Sequence, residues 1–204
     1  MARPLRIISY GGGVQSTALI VLASQGKIGT IDAALFANVG DDSEHPATIT
    51  YVREVMQPWA KERDIAVHEL NRIKRTGEVE TLWGRLMKPE SRSVPIPVRM
   101  PDTGAPGTRN CTADFKIKVI AKWLKARGAS EDNPATVLIG FSLDEAHRAS
   151  NRRPMAYEQP EHPLLDLHLN RTDCKNIIGR AGLPVPPKSA CFFCPFHRPA
   201  MWAK

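Results

Sequence analysis

Ile7-Ile8-Ser9-Tyr10-Gly11-Gly12-Gly13-Val14-Gln15-Ser16-Thr17 joins a short apolar run to three glycines and two hydroxyl residues, after which a helix-like segment opens. Glycines let the backbone turn tightly and come close to an anion with no side chain in the way, so successive N–H groups can point at phosphate oxygens. Ser16 and Thr17 fall in the expected first helical turn. There, unpaired N–H groups and the positive end of the helix dipole favour an anion by about 0.3 to 1 kcal/mol. The stretch is no Walker loop, because no lysine lies between Gly11 and Thr17. A dinucleotide fingerprint would want glycine where Ser16 stands. Strand, glycine turn and helix in succession read as the first unit of an α/β sheet that binds nucleotide phosphate.

Outward from that unit the alternation continues. Strand-like apolar runs cover residues 31–38, 65–70 and 136–141, following the first at 5–9. Helical patterns cover 16–24, a segment from Pro46 with Val52, Val55, Met56 and Trp59 in register, 113–127 with Phe115, Val119, Ile120, Trp123 and Leu124 inward, and 172–181. Strands alternating with helices imply right-handed crossovers, hence an α/β fold with a mostly parallel twisted sheet and helices on both faces. The expected organisation is a single nucleotide-binding domain over 1–204. It includes an irregular, lid-like segment at 71–108, interrupted by Pro89, Pro95, Pro97, Pro101 and Pro106, and a small C-terminal cysteine-containing segment at 171–204. Ligands in such sheets bind beyond the carboxyl ends of the strands. Polar loops stand at three of those ends: Gly11–Thr17, Asn38–Asp42 and Gly140–Arg148.

With 204 residues the chain can bury a sizeable core without staples. Its net charge of +7 is concentrated between Arg72 and Arg127, where 13 lysines and arginines face 5 acidic residues. That region reads either as a solvated face or as a landing surface for a polyanion. No targeting segment and no apolar run of membrane-spanning length is read, so a reducing cytoplasm is expected. In that compartment four cysteines point to metal or redox chemistry. Cys191-Phe192-Phe193-Cys194 is half a metal site, with Cys111 as a third ligand and Cys174 as a fourth candidate. Thiolates suit zinc or an iron–sulfur cluster, spacing alone does not decide, and His197 adds a nitrogen option. A redox dithiol is less suited to the apolar setting of Phe192, Phe193 and Phe196. His147 reads more readily as a surface residue than as a proton carrier, and Trp83 as an aromatic closing over apolar surface or stacking on a base.

Taken together these residues resemble the PP-loop ATP pyrophosphatase superfamily, the adenine nucleotide alpha hydrolases, and within it the phosphoadenosine phosphosulfate reductase-like family. The superfamily loop, Ser-Gly-Gly-x-Asp-Ser, is matched by Gly11-Gly12-Gly13-Val14-Gln15-Ser16, with Gly11 in place of serine and Gln15 in place of aspartate. Asn38 to Pro46 is similar to the family's second-strand loop, and Arg109-Asn110-Cys111-Thr112-Ala113-Asp114-Phe115-Lys116 to its Arg-x-Cys block, with one cysteine where cluster-bearing reductases have two. Gly140 to Arg148 with Glu145, and His162-Pro163-Leu164-Leu165-Asp166, resemble two further blocks.

The resemblance implies ATP or a related adenylyl nucleotide bound by Ser9, Gly11, Gly12, Gly13, Gln15, Ser16, Thr17, Asn38, Asp41 and Gly140, with Mg2+ as an accompanying ion. Lys116, Arg148 and Ser16 would be catalytic. A [4Fe-4S] cluster, with zinc as the alternative, would sit on Cys111, Cys191, Cys194 and Cys174 or keep an open iron. The implied activity is ATP pyrophosphatase or adenylating chemistry in sulfur transfer. A sulfonucleotide reductase is the alternative, although the chain carries no C-terminal Glu-Cys-Gly nucleophile. A non-catalytic zinc knuckle on nucleic acid is the third reading. Expected partners are the nucleotide, a nucleic-acid substrate or a sulfur-donor protein, and a second copy in a homodimer, without membrane.

Overall fold

The computed structural model describes residues 3–91, 94–105, 107, 109–150 and 154–197. Pro106 and residue 108 of the expected lid, and residues 198–204 of the expected metal-binding segment, lie outside the described residues. Six strands form one sheet: β1 (Arg6–Tyr10), β2 (Ala33–Asn38), β3 (Val67–Ile73), β4 (Val79–Glu80), β5 (Ala135–Ile139) and β6 (Glu158–Glu161), in the order β4-β3-β2-β1-β5-β6. All neighbours are parallel except β3 and β4. The α/β class and parallel sheet read from the alternating pattern are therefore present.

Period-two alternation sorts the strand residues onto two faces. Ile8, Tyr10, Ala34, Phe36 and Leu138 pack with α1 (Val14–Ser24), with α7 (Arg171–Arg180) and with a continuous helix α2 made of Pro46–Thr50, a π-helical turn at Tyr51–Met56 and Gln57–Lys61. Ile7, Leu35, Val137 and Ile139 face the other side, against Leu124 of α4 (Asn110–Thr112, π-helical Ala113–Ile117, Lys118–Lys125). Helix α1 is apolar on every side because the sheet covers one flank and α7 the other. Helix α7 starts on a capping box in which Asn170 accepts from the amides of Thr172 and Asp173 while Asp173 accepts from that of Asn170. Among the described residues no helix is long and apolar enough to cross a membrane.

Five elements stand where the sequence predicts none. The segment at 71–108 holds β4 and a short helix α3 (Leu82–Leu86), whose Leu82 is buried against Val39 and Phe115, so part of it is packed rather than irregular. A four-residue helix α5 (His147–Ser150) follows β5, and α6 (Pro163–Asp166) follows β6. Strand β6 reads Glu-Gln-Pro-Glu and has no apolar run, because it lies at the sheet edge with its pairing on one side only. Proline is tolerated there.

The chain runs from β1 outward through β2 and β3, then returns to place β5 on the other side of β1, so the order reverses between β1 and β5. Their register sets Ser9 beside Ile139 and beside Leu35 of β2, which brings the loops leaving all three strands to one end of the sheet. At that end a Cβ on Gly140 would lie 2.9 Å from the Ser16 nitrogen and 3.0 Å from the Gln15 carbonyl carbon. These are main-chain atoms of α1 and cannot rotate away. Gly140→Ala is expected to cost about 1–3 kcal/mol, seen as a lower urea midpoint at unchanged m-value; an unaltered midpoint would mean that the contact is not tight.

Candidate active site

A cavity of about 430 Å³ opens at this reversal point. The glycine loop forms its floor through Ser9, Gly11, Gly13, Gln15 and Ser16, with Gly140 and Phe141 beside it. Gly13 caps α1 without any side-chain hydrogen bond and the first turn holds no acidic residue, so the leading amides are left to the cavity. The Ser16 hydroxyl accepts from the Gly11 amide at 3.2 Å and donates to the Gly13 carbonyl at 3.2 Å, fixing the shape of the loop. Gly12 turns the other way at φ +72°, with a would-be Cβ 2.8 Å from Thr48. Thr17 is fully buried beside Tyr10, its amide spent on the Gly13 carbonyl. Gly12 and Thr17 thus support the loop from beneath.

Five cations line the cavity: Arg109, Lys116, Arg148, Arg171 and Lys188. Glu145 is the only carboxylate among the described lining residues, and it accepts from Arg148 at 2.7 Å and from Gln15 at 3.2 Å. The Gln15 carbonyl oxygen accepts in turn from Arg171 at 2.9 Å. Gln15 is therefore a neutral bridge between a carboxylate and a guanidinium, where an aspartate would oppose Glu145. Arg148 also lies over Phe141, and Arg109 over Phe196. Lys116 stands on the π-helical turn of α4, an irregularity that often marks functional positions.

Asn38 and Asp41 are placed apart from this lining. The Asn38 amide donates to Asp41 and to Glu69, both at 2.7 Å, and its oxygen accepts from the Gly40 amide. Arg53 clamps the same two carboxylates. This network shapes the loop after β2 and leaves Asn38 buried rather than facing the cavity. His147 is exposed and outside the lining, and Trp83 packs against Phe192 and Phe193. Part of the basic region is paired locally, Arg72 and Arg85 with Glu80 and Arg85 and Lys118 with Asp114, and the region keeps its positive excess. Among its described residues only Arg109 and Lys116 reach the cavity lining.

The cysteines divide. Cys111 and Cys191 pack together against Val39, Leu82, Phe115 and Phe193. Burial pushes the Cys191 thiol up to about 12, with Glu44 adding to the rise and Lys116 opposing it. Cys194 shares a turn with Cys191, its amide donating to the Cys191 carbonyl at 3.1 Å, and it lines the cavity. His197 lines it too, its imidazole held below its usual range by burial and by Lys188 and His45. Cys174 lies elsewhere, fully buried among the apolar residues between α1 and α7, where burial raises its thiol to about 11. Three thiols thus share one neighbourhood with soft-donor chemistry, and Cys174 does not join them. Among the described residues no three His, Cys, Asp or Glu side chains are already drawn into a metal-holding set.

No family model and no curated protein matches the chain. Among solved structures it is similar to the U34-tRNA thiolase NcsA from Methanococcus maripaludis, determined with its [4Fe-4S] cluster, at a TM-score of 0.54 and 11% identity. The match covers 98% of this chain and 63% of that one, so the chain spans less than two thirds of its neighbour's length. At that identity the likeness establishes a shared α/β fold.

Sequence reading passed over Glu44, Arg171 and Lys188 as site residues. Arg171 is separated from the glycine loop by most of the chain, and only the packing of α7 on α1 brings it to Gln15. Glu44 stood within a quoted loop, yet nothing in its neighbours marks it as fully buried.

The Arg53 clamp predicts a pH dependence. Its hydrogen bonds hold the carboxyls of Asp41 and Glu69 below their usual range. Folded values below the unfolded ones, near 3.9 and 4.3, mean stability that is present above those pH values and lost as pH falls through the folded ones. Arg53→Met is expected to destabilise by roughly 1 kcal/mol at pH 7, discounted for solvent screening. In urea titrations that difference should shrink below pH 4; a constant difference would show that packing, not charge, was lost.

Proposed function

We propose that the chain is a PP-loop-type enzyme that binds ATP or a closely related adenylyl nucleotide and activates an acceptor for sulfur transfer. The observation that carries this reading is a cavity at the reversal point whose floor is bare main-chain amide, whose walls carry five cations, and whose far wall includes Cys194. The motif blocks of the reductase-like branch and the thiolase-like fold support the same reading. Phosphoryl chemistry of this kind is mostly positioning and charge stabilisation. The loop amide of Gly13 and the first turn of α1 would hold phosphate oxygens, with the Gly11 amide spent on fixing the loop through Ser16. Lys116, Arg148 and Arg171 would spread the charge that grows as the bond between the α and β phosphates breaks. Glu145, engaged by Arg148 and Gln15, orients those groups. Pro187 and Phe196 add apolar lining to the cavity.

Cys111, Cys191 and Cys194 are the residues that would hold an iron–sulfur cluster, or zinc in its place. When bound, a cluster supplies sulfur or electrons beside the activated acceptor. The acceptor, which would be a nucleic acid by analogy with the neighbour's name, belongs to this proposal as well.

Calorimetric titration with ATP and measurement of pyrophosphate release test the nucleotide half. Arg171→Ala is expected to weaken ATP binding roughly 10- to 100-fold, the worth of a lost charged hydrogen bond, whereas equal affinity in both proteins would remove Arg171 from the site. Anaerobic iron and sulfide loading tests the other half. Cys111→Ser, Cys191→Ser and Cys194→Ser should each abolish the visible absorption of a cluster, and Cys174→Ala should retain it. Loss of loading in Cys174→Ala with intact folding would restore Cys174 to the ligand set.

A further inference from the structure

Glu44 is a carboxylate with no exposed surface at all, and its Oε2 has no hydrogen-bond partner among the described residues. Its Oε1 accepts only a long contact from the Ser189 hydroxyl, at 3.5 Å. Burying a carboxylate costs several kcal/mol unless a counter-ion stands near. Among the described residues the cation within ion-pair range of Glu44 is the ammonium of Lys116, 3.8 Å from Oε2 and beyond a hydrogen bond. Lys116 is itself about one-third exposed and lines the cavity, so the pair runs from the interior to the cavity wall.

The backbone around Glu44 is fixed from both sides. Its amide and that of Ser43 donate to the Gly40 carbonyl, the His45 amide donates to the Ala190 carbonyl, and the Phe192 amide donates to the Ser43 carbonyl. Glu44 therefore forms a single antiparallel bridge with Cys191, and it cannot follow Lys116 outward. A lysine on a four-carbon stem otherwise moves more freely than the three arginines of the lining.

We infer that Glu44 is a positioning residue: its buried carboxylate anchors the Lys116 ammonium on the cavity wall, at the place where phosphate oxygens are to be met. This role rests on the proposed nucleotide site for its purpose, while the pairing itself stands without any ligand. Glu44 is not itself a lining residue; of the two lining side chains it contacts, Ser189 makes only the long hydrogen bond and Lys116 carries the charge.

Two double-mutant cycles with Glu44→Gln and Lys116→Met test the inference. In ligand-free protein Lys116→Met strands a buried charge and should lower Tm by roughly 5 °C or more. Adding Glu44→Gln should restore most of that loss. Additive losses would overturn the pairing, whatever the protein binds. With ATP as the probe, Glu44→Gln should weaken binding about 5- to 10-fold and have no effect in the Lys116→Met background. Removing a negative charge would by itself tighten anion binding, so tighter binding, or an equal loss in both backgrounds, would overturn the positioning role. If the unmodified protein bound no ATP, the nucleotide proposal would fall together with the purpose assigned to Glu44, and the ligand-free cycle would still decide the pair.

Discussion

The end of β5 and the first turn of α1 meet main chain to main chain, and everything functional is arranged around that contact. Gly140 leaves no room for a side chain because the Gln15 and Ser16 backbone fills it. The contact exists because β1 is flanked in parallel register by β2 on one side and β5 on the other. A one-residue slip of β5 against β1 would lift Gly140 off the glycine loop and turn the alternating faces of β5 inside out. The apolar core on both faces of the sheet therefore sets the width of the cavity floor, and the cavity inherits its precision from ordinary packing.

Charge is distributed with equal economy. Basic residues between 72 and 127 look in composition like a polyanion surface; Arg72, Lys74, Arg85 and Lys118 are drawn into local pairs with Glu80, Asp114 and Glu78, and the region keeps a positive excess. Cations that face the cavity come from four separate segments of the chain, Arg109 and Lys116 sharing one, so no one stretch of sequence carries all of the site's charge. Gln15 makes this convergence workable. An acid at that position would leave Glu145 facing a second carboxylate, whereas an amide offers a donor to Glu145 and an acceptor to Arg171.

The architecture was legible where local chemistry and global packing ask for the same residues. Apolar runs gave β1, β2, β3 and β5 to within a few residues, and the glycine loop gave the start of α1, because central strands and their helices must be apolar on the covered faces. Strand β6 was not legible, since an edge strand reading Glu-Gln-Pro-Glu needs neither apolar content nor a full set of amide donors. Site residues were legible by type and not by direction. Asn38 and Asp41 follow a strand at the correct end of the sheet, but Arg53 from the π-helical turn of α2 captures Asp41 and Glu69, and the Asn38 side chain goes with them. Cys174 carries the same thiol as Cys191. Only the helical phase of α7, which turns position 174 toward α1, separates the two.

The cysteine turn links the two halves of the site. Residues Cys191 and Cys194 are held three apart by one hydrogen bond, but they look into different surroundings: Cys191 inward to Cys111 and Phe115, Cys194 outward to the cavity. That turn is itself stitched to the loop after β2 through Glu44 and Phe192, and Glu44 reaches Lys116. A displacement of the Lys116 ammonium toward an incoming anion would thus be opposed by the same buried carboxylate that bridges to Cys191. Under the proposed reading, the wall that would meet phosphate and the turn that would hold sulfur are joined through the Glu44–Lys116 ion pair and the Glu44–Cys191 backbone bridge, which is a physical reason why nucleotide activation and sulfur delivery can share a cavity of this size.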